Sequence, residues 1–208
     1  MSAEKAVLLV DAGTGNLRSV EKALRAAGAS VQVTRDPADV QRGGRIILPG
    51  VGAFGRFMQG LRQDGLDAAV CEAVQRGDPV LGICVGMQAL FESSDELGLT
   101  AGLGLLAGKV LRFPDRPGLK VPQTGWNQLL PQGSAPILRG IAPGDYAYFN
   151  HSYYCAAGPA DTAAYTDYGL EFASAVRREN LSGVQFHPEK SQRVGLAILS
   201  NFIEGRGE

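Results

Sequence analysis

The chain has 208 residues, 45% of them apolar and 20% charged, with a formal net charge of −1. That balance suits one α/β domain spanning 1–208 with a real core, and it argues against nucleic acid as a main ligand, because no large basic face is to be expected. No apolar run is long enough to cross a bilayer, and the opening MSAEKAVLLVDAG lacks an h-region with a cleavage site, so a soluble cytoplasmic protein is expected.

From the N-terminus, KAVLLVD reads as a strand and NLRSVEKALRAAG as a helix closed by Gly28, with Asn16 as its expected N-cap. SVQVTR is a short alternating strand, and RIILPG a buried strand stopped by Pro49-Gly50. Phe54 to Arg76 reads as helical, with breaks at Gly60 and Gly65. PVLGIC is a buried strand followed at once by a helix-like stretch. Beyond it the character changes to short β-rich runs and Pro/Gly turns: GKVLRF, the aromatic strand YAYFNHSYYC, EFASAVRRE and LSGVQFHP. A last helix, VGLAILSNFIEG, follows. Strand–helix alternation implies a flavodoxin-like, mostly parallel sheet with helices on both faces, and the second half implies antiparallel additions.

Gly82-Ile83-Cys84-Val85-Gly86 has the layout of a nucleophile elbow with cysteine at its tip. Flanking glycines leave room for the turn, and a helix starting there aims N–H groups and its positive end at the sulfur, favouring thiolate. Cys71 and Cys155 lack this setting and read as packing residues. The three cysteines form no C-x-x-C pair, and with only two histidines a Cys/His metal site is not expected. A thiolate needs a base and the base an orienter. The segment SGVQFHPEKS supplies His187, delivered to the sheet edge by its strand, and Glu189, folding back across Pro188. His151, with no carboxylate within three residues, reads as a wall or packing histidine. The turn in LPGVGAF, with Val51 and Gly52, and the residue after the nucleophile, Val85, can supply oxyanion N–H donors. DAGTGNLRS fails as a dinucleotide fingerprint, because Arg18 stands where its third glycine is needed.

Together these segments resemble the triad-type, class I glutamine amidotransferases, which have the cysteine elbow, a PG-x-G turn and a late FHPE in that order. The supporting segments are DAGTGNLRSV, LPGVGAFG, GICVGMQALFESSDE, GWN, YFNHSYY and GVQFHPEKS, and within the family the resemblance is closest to the glutaminase subunits of imidazole glycerol phosphate synthase, through Met87, Lys190, GWN and HSY. Ala12, where the family usually has Tyr, and Gln123-Thr124, where His and an apolar residue are usual, depart from the pattern and bear on the partner-facing surface. The resemblance implies that Cys84 attacks the side-chain amide of glutamine, that His187 and Glu189 complete the triad, and that no cofactor is needed. It also implies that Gln88, Glu96, His151, Ser152 and Tyr153 contact substrate, with Glu92 in a supporting place. Ammonia would pass to a (β/α)8-barrel cyclase subunit in a heterodimer, met by Asn16, Trp126, Asn127, Tyr148 and Lys190. The alternatives are the amidotransferase subunit of another synthase, or a stand-alone cysteine hydrolase. The usual α/β-hydrolase order of nucleophile, acid, base is not the order here. A non-catalytic module that kept the fold is a further reading.

Overall fold

The computed structural model describes residues 5–205. Its first half alternates as β1 (Ala6–Val10), α1 (Leu17–Ala26), β2 (Ser30–Thr34), α2 (Pro37–Gln41), β3 (Arg45–Gly50), α3 (Phe54–Gln63), α4 (Leu66–Arg76) and β4 (Val80–Cys84). A single helical turn, α5 (Val85–Gln88), leads into β5 (Phe91–Ser94), β6 (Thr100–Ala101), β7 (Leu106–Arg112), β8 (Gln123–Gln128) and β9 (Leu130–Pro131). Then come β10 (Tyr146–His151), β11 (Tyr153–Cys155), β12 (Thr162–Asp167), β13 (Glu171–Arg178), β14 (Leu181–Val184) and the closing helix α6 (Gln192–Glu204).

The main sheet has eight strands in the order β2-β1-β3-β4-β14-β13-β12-β9. From β2 to β14 every pairing is parallel, and from β14 to β9 every pairing is antiparallel. β3 and β4 are almost wholly buried, which explains their continuous apolar runs: a parallel strand covered on both faces has no polar side to show. The chain runs from β1 outward to β2, then back across to β3, β4 and β14. Right-handed crossovers therefore place α1 on one face and α2, α3 and α4 on the other. The packing agrees, α1 lying against α6, and α2 and α3 against α4. The reversal opens a crevice at the carboxyl ends of the strands, where Gly50 and Cys84 are register partners. A four-stranded sheet, β11-β7-β5-β6, and a two-stranded ribbon of β8 and β10 flank that crevice. No described helix is long and apolar enough to cross a membrane.

Several sequence expectations are corrected. The helix after Cys84 is one turn, because Leu90 and Phe91 are both buried as the chain turns into β5. β3 runs through Pro49-Gly50 instead of stopping there. Gly60 lies inside α3, where a Cβ would sit 1.9 Å from the Ala12 carbonyl oxygen; the break falls at Gly65 alone. The aromatic stretch around His151 is two strands in different sheets, divided at Ser152. β14 is an inner strand, so His187 reaches the rim at the strand's end and not at a sheet edge. Asn16 holds the N-cap position of α1 without a side-chain capping bond; its Oδ1 instead accepts from the Ser19 hydroxyl at 2.8 Å. Of the three departures from the family pattern, Ala12 and Gln123 are buried, and Thr124 alone is exposed.

Candidate active site

Cys84 ends β4 and has φ 54 and ψ −111, a conformation that a non-glycine residue adopts only at a cost of order 1–3 kcal/mol. The close packing around it requires both flanking glycines. A Cβ on Gly86 would lie 1.7 Å from the Leu48 carbonyl oxygen, and one on Gly82 would lie 2.6 Å from the Gly86 carbonyl oxygen. The sulfur is thus held at the crevice floor by backbone packing of α5 on β3 and β4. With only one turn of helix behind it, the positive helix end expected from the sequence is a weak contributor.

His187 follows β14 and is nearly buried, as is the Glu189 side chain. The ring Nδ1 donates to Glu189 Oε1 at 2.9 Å, which leaves the other ring nitrogen free to serve the cleft that His187 shares with Cys84. Burial, the largest single influence, works to lower the His187 pKa. Hydrogen bonds and charge interactions with Cys84 and Glu189 outweigh it and raise the pKa to about 10. The imidazolium is therefore the favoured form of His187. The backbone here is pinned from the ribbon. The His187 N–H donates to the Tyr148 carbonyl at 2.9 Å, the Tyr148 N–H donates to Ser191 Oγ at 2.9 Å, and that hydroxyl donates to the His187 carbonyl at 2.7 Å.

Val51, Gly52, Cys84, Val85, Gln88, Glu96, Asn150, His151, Ser152, Tyr153, His187 and Lys190 share one cleft of about 300 Å³. The structure thus gathers the expected nucleophile, its expected base, all three expected oxyanion residues and the expected substrate-contacting side chains. Gly52 has φ +85, which glycine tolerates and other residues resist. A larger cleft of about 1040 Å³, bordered by Lys5, Arg45, Arg139 and Glu204, holds no cysteine or histidine.

Individual side chains differ from expectation in what they do. Glu96 reaches across to the start of α3, where its Oε2 accepts from the Phe54 N–H at 2.6 Å. Ala53, the residue at the N-cap, has no side chain able to cap, so this carboxylate caps α3 from another element. Glu92 is bonded to the Gly108 N–H at 3.0 Å and does not support Gln88. Gln88 is buried, its Nε2 donating to the Tyr153 carbonyl at 3.0 Å and to Gln185 Oε1 at 3.1 Å. Gln185, which the sequence reading did not single out, is fully buried with Nε2 3.8 Å from the Cys84 sulfur. The signal that could have found it is position: two residues before His187, it shares that histidine's approach to the rim.

His151 is buried in an aromatic box of Phe113, Phe149 and Phe172. Its Nδ1 lies 2.7 Å from the Tyr153 carbonyl, and among the described residues Nε2 has no partner. Burial pushes its pKa down to about 4, so it is a neutral wall of the cleft. Cys155 is buried with its thiol pKa pushed up by burial, and Cys71 lies half-buried in α4. Trp126 is 46% exposed and meets Tyr148 edge-on at 6.0 Å, with Lys190 Nζ 5.5 Å from the Tyr148 ring centre. Core packing is therefore not the role of Trp126. Asn127, on the same ribbon, is tied to the Asp167 carbonyl at 2.8 Å.

Comparison with known proteins agrees with this geometry. The family model for class-I glutamine amidotransferases matches residues 8–205. Imidazole glycerol phosphate synthase subunit HisH of Deinococcus radiodurans is 50% identical, covering 94% of this chain and 92% of the relative. The subunit of the same name from Symbiobacterium thermophilum is 51% identical over the same shares. A solved glutamine amidotransferase superposes with a TM-score of 0.71 at 21% identity, covering 91% of this chain and 94% of that one, a likeness of fold. An elbow cysteine, a carboxylate-oriented histidine and half-identity along nearly the whole length point the same way: the chain belongs to the class-I glutamine amidotransferases and, among them, to the HisH subunits.

Proposed function

We propose that this chain, as one amidotransferase domain, hydrolyses glutamine to glutamate and ammonia and hands the ammonia to a (β/α)8-barrel cyclase subunit. That partner uses it to make imidazole glycerol phosphate in histidine biosynthesis, with the aminoimidazole carboxamide ribotide released alongside. Cys84 attacks the amide carbon, and His187 gives a proton to the departing nitrogen. Water then cleaves the γ-glutamyl thioester with His187 as base, while Glu189 orients and stabilises the imidazolium. N–H groups of Val51, Gly52 and Val85 stabilise the oxyanion. Gln88, Glu96, His151, Ser152 and Tyr153 shape the glutamine site. Asn16, Trp126, Asn127, Tyr148 and Lys190 belong to the partner-facing surface. The reaction runs in the cytoplasm without a cofactor.

The observation that carries this reading is the 2.9 Å bond from His187 to Glu189, with His187 and Cys84 lining the same cleft. The test is glutamate release measured with the cyclase subunit and its ligand present. Cys84→Ala is expected to abolish release while still forming the complex, and Cys71→Ala and Cys155→Ala to retain it. Release undiminished in Cys84→Ala would reject the mechanism.

A further inference from the structure

We propose that Gln185 is a catalytic residue of this site, its side-chain amide donating a hydrogen bond to the Cys84 sulfur in a direction set by the Tyr153 backbone carbonyl. The inference rests on the glutamine-hydrolysing reading above and adds a residue to it.

The two ends of a buried amide are told apart only by their neighbours. The Tyr153 carbonyl can only accept, so the Gln88 atom 3.0 Å from it is the nitrogen. That nitrogen also lies 3.1 Å from Gln185, and a donor must there meet the oxygen. The remaining Gln185 atom is then Nε2, and it faces Cys84 Sγ at 3.8 Å, a long separation suited to a large sulfur acceptor. Gln185 is 0% exposed, and its own N–H donates to the Ser174 carbonyl at 2.9 Å, so the side chain springs from a fixed strand end. Reversing the Gln185 amide would set two donors against each other beside Gln88 and turn an oxygen toward the sulfur.

A donor at this point favours the charged sulfur over the neutral one. In the first step the thiolate forms a C–S bond to the amide carbon, the C–N bond breaks, and the imidazolium proton leaves with ammonia. In the second, water adds, His187 takes its proton, the C–S bond breaks, and the sulfur departs as thiolate. Sulfur charge is lost in the first step and regained in the second, so the Gln185 bond chiefly assists thiolate formation and thioester hydrolysis. The titratable groups around Cys84 are His187 with Glu189 behind it, Cys155 on β11, His151 on β10, and Glu96 and Lys190 on the cleft wall. Gln185 is the neutral group among these neighbours that bonds the sulfur directly.

The test is the pH dependence of Cys84 alkylation by iodoacetamide, in the full chain with Cys71→Ala and Cys155→Ala so that one thiol reports. Gln185→Leu should move the midpoint up by about one pH unit, roughly a tenfold loss of thiolate at a fixed pH below it. Gln185→Glu should move it further, by placing a carboxylate beside the sulfur. Gln88→Met, which frees the Gln185 amide to turn without touching the sulfur, should shift it the same way by less. A Gln185→Leu midpoint equal to the parent's overturns the proposal. If Gln185→Leu does not fold, an unmoved midpoint in Gln88→Met overturns it instead. Alkylation uses no glutamine, so failure of the hydrolytic reading would show separately, as absent glutamate release by the parent chain with its partner.

Discussion

At the level of single residues, two histidines share one cleft with opposite chemistry. His187 gains Glu189 and Cys84 as partners, whereas His151 gains an aromatic box. Replacing His187 with Asn is therefore expected to lower turnover at least ~10²-fold, the scale of losing a general base. His151→Asn should cost less, and steady-state rates on folded variants would decide the assignment. His151 also predicts a stability profile. Its pKa falls from 6.5 unfolded to about 4 folded, so the unfolded chain binds more protons between those values. Its neutral burial is fully tolerated above pH 6.5 and increasingly opposed as pH drops, with roughly 2 kcal/mol lost between pH 7 and pH 5. Denaturant titrations should show the parent losing more stability over that range than His151→Asn, the opposite contribution of His187 with its raised pKa being common to both. The candidate triad was legible because each member is marked by its immediate neighbours: Gly-x-Cys-x-Gly on one side, His-Pro-Glu on the other. Gln185 and the capping role of Glu96 were not, because their partners lie 101 and 42 residues away along the chain.

At the level of elements, the turn that holds Val51 and Gly52 has no cap of its own. It is bounded by the end of β3 and by α3, whose first N–H is taken up by Glu96. One carboxylate thus borders the Cys84 cleft and fastens the helix that follows the turn of Val51 and Gly52. Glu96→Ala should lower stability by about 1 kcal/mol, as for loss of a cap, and reduce kcat as well as raise KM. Glu96→Gln keeps an acceptor for the Phe54 N–H, so it should restore most of kcat while KM stays high. Equal kcat in the two variants would show that the cap does not reach the turn. The strand–helix alternation and the antiparallel second half were readable from period and composition. The length of α5 was not: VGMQALF satisfies a helical period, and only the burial of Leu90 and Phe91 on entering β5 ends the helix. The pairing of β8 with β10 likewise depends on tertiary contact, because neither Gln123-Thr124-Gly125-Trp126 nor its distant partner announces the other.

For the whole molecule, the ribbon of β8 and β10 presents Trp126, Tyr146 and Tyr148 outward while its inner face carries Ala147, Phe149 and His151. A half-exposed tryptophan against a tyrosine is the composition of an interface anchor. Trp126→Ala should weaken cyclase binding by at least ~30-fold, about 2 kcal/mol, with the thermal midpoint of the free chain little changed. A binding isotherm at matched salt measures it. The sheet order carries one more consequence, in the life of the chain before it is complete. The strand between β4 and β13 is β14, whose residues are made after both. Until a ribosome has released them, β4 faces the solvent with an unpaired edge, and the antiparallel half has nothing to join. Cys84 is synthesised well before His187. A nascent chain is therefore both sticky and chemically silent, a natural client for a chaperone. Cys84 and His187 can meet only once β14 has entered the middle of the sheet, so the candidate site is assembled late.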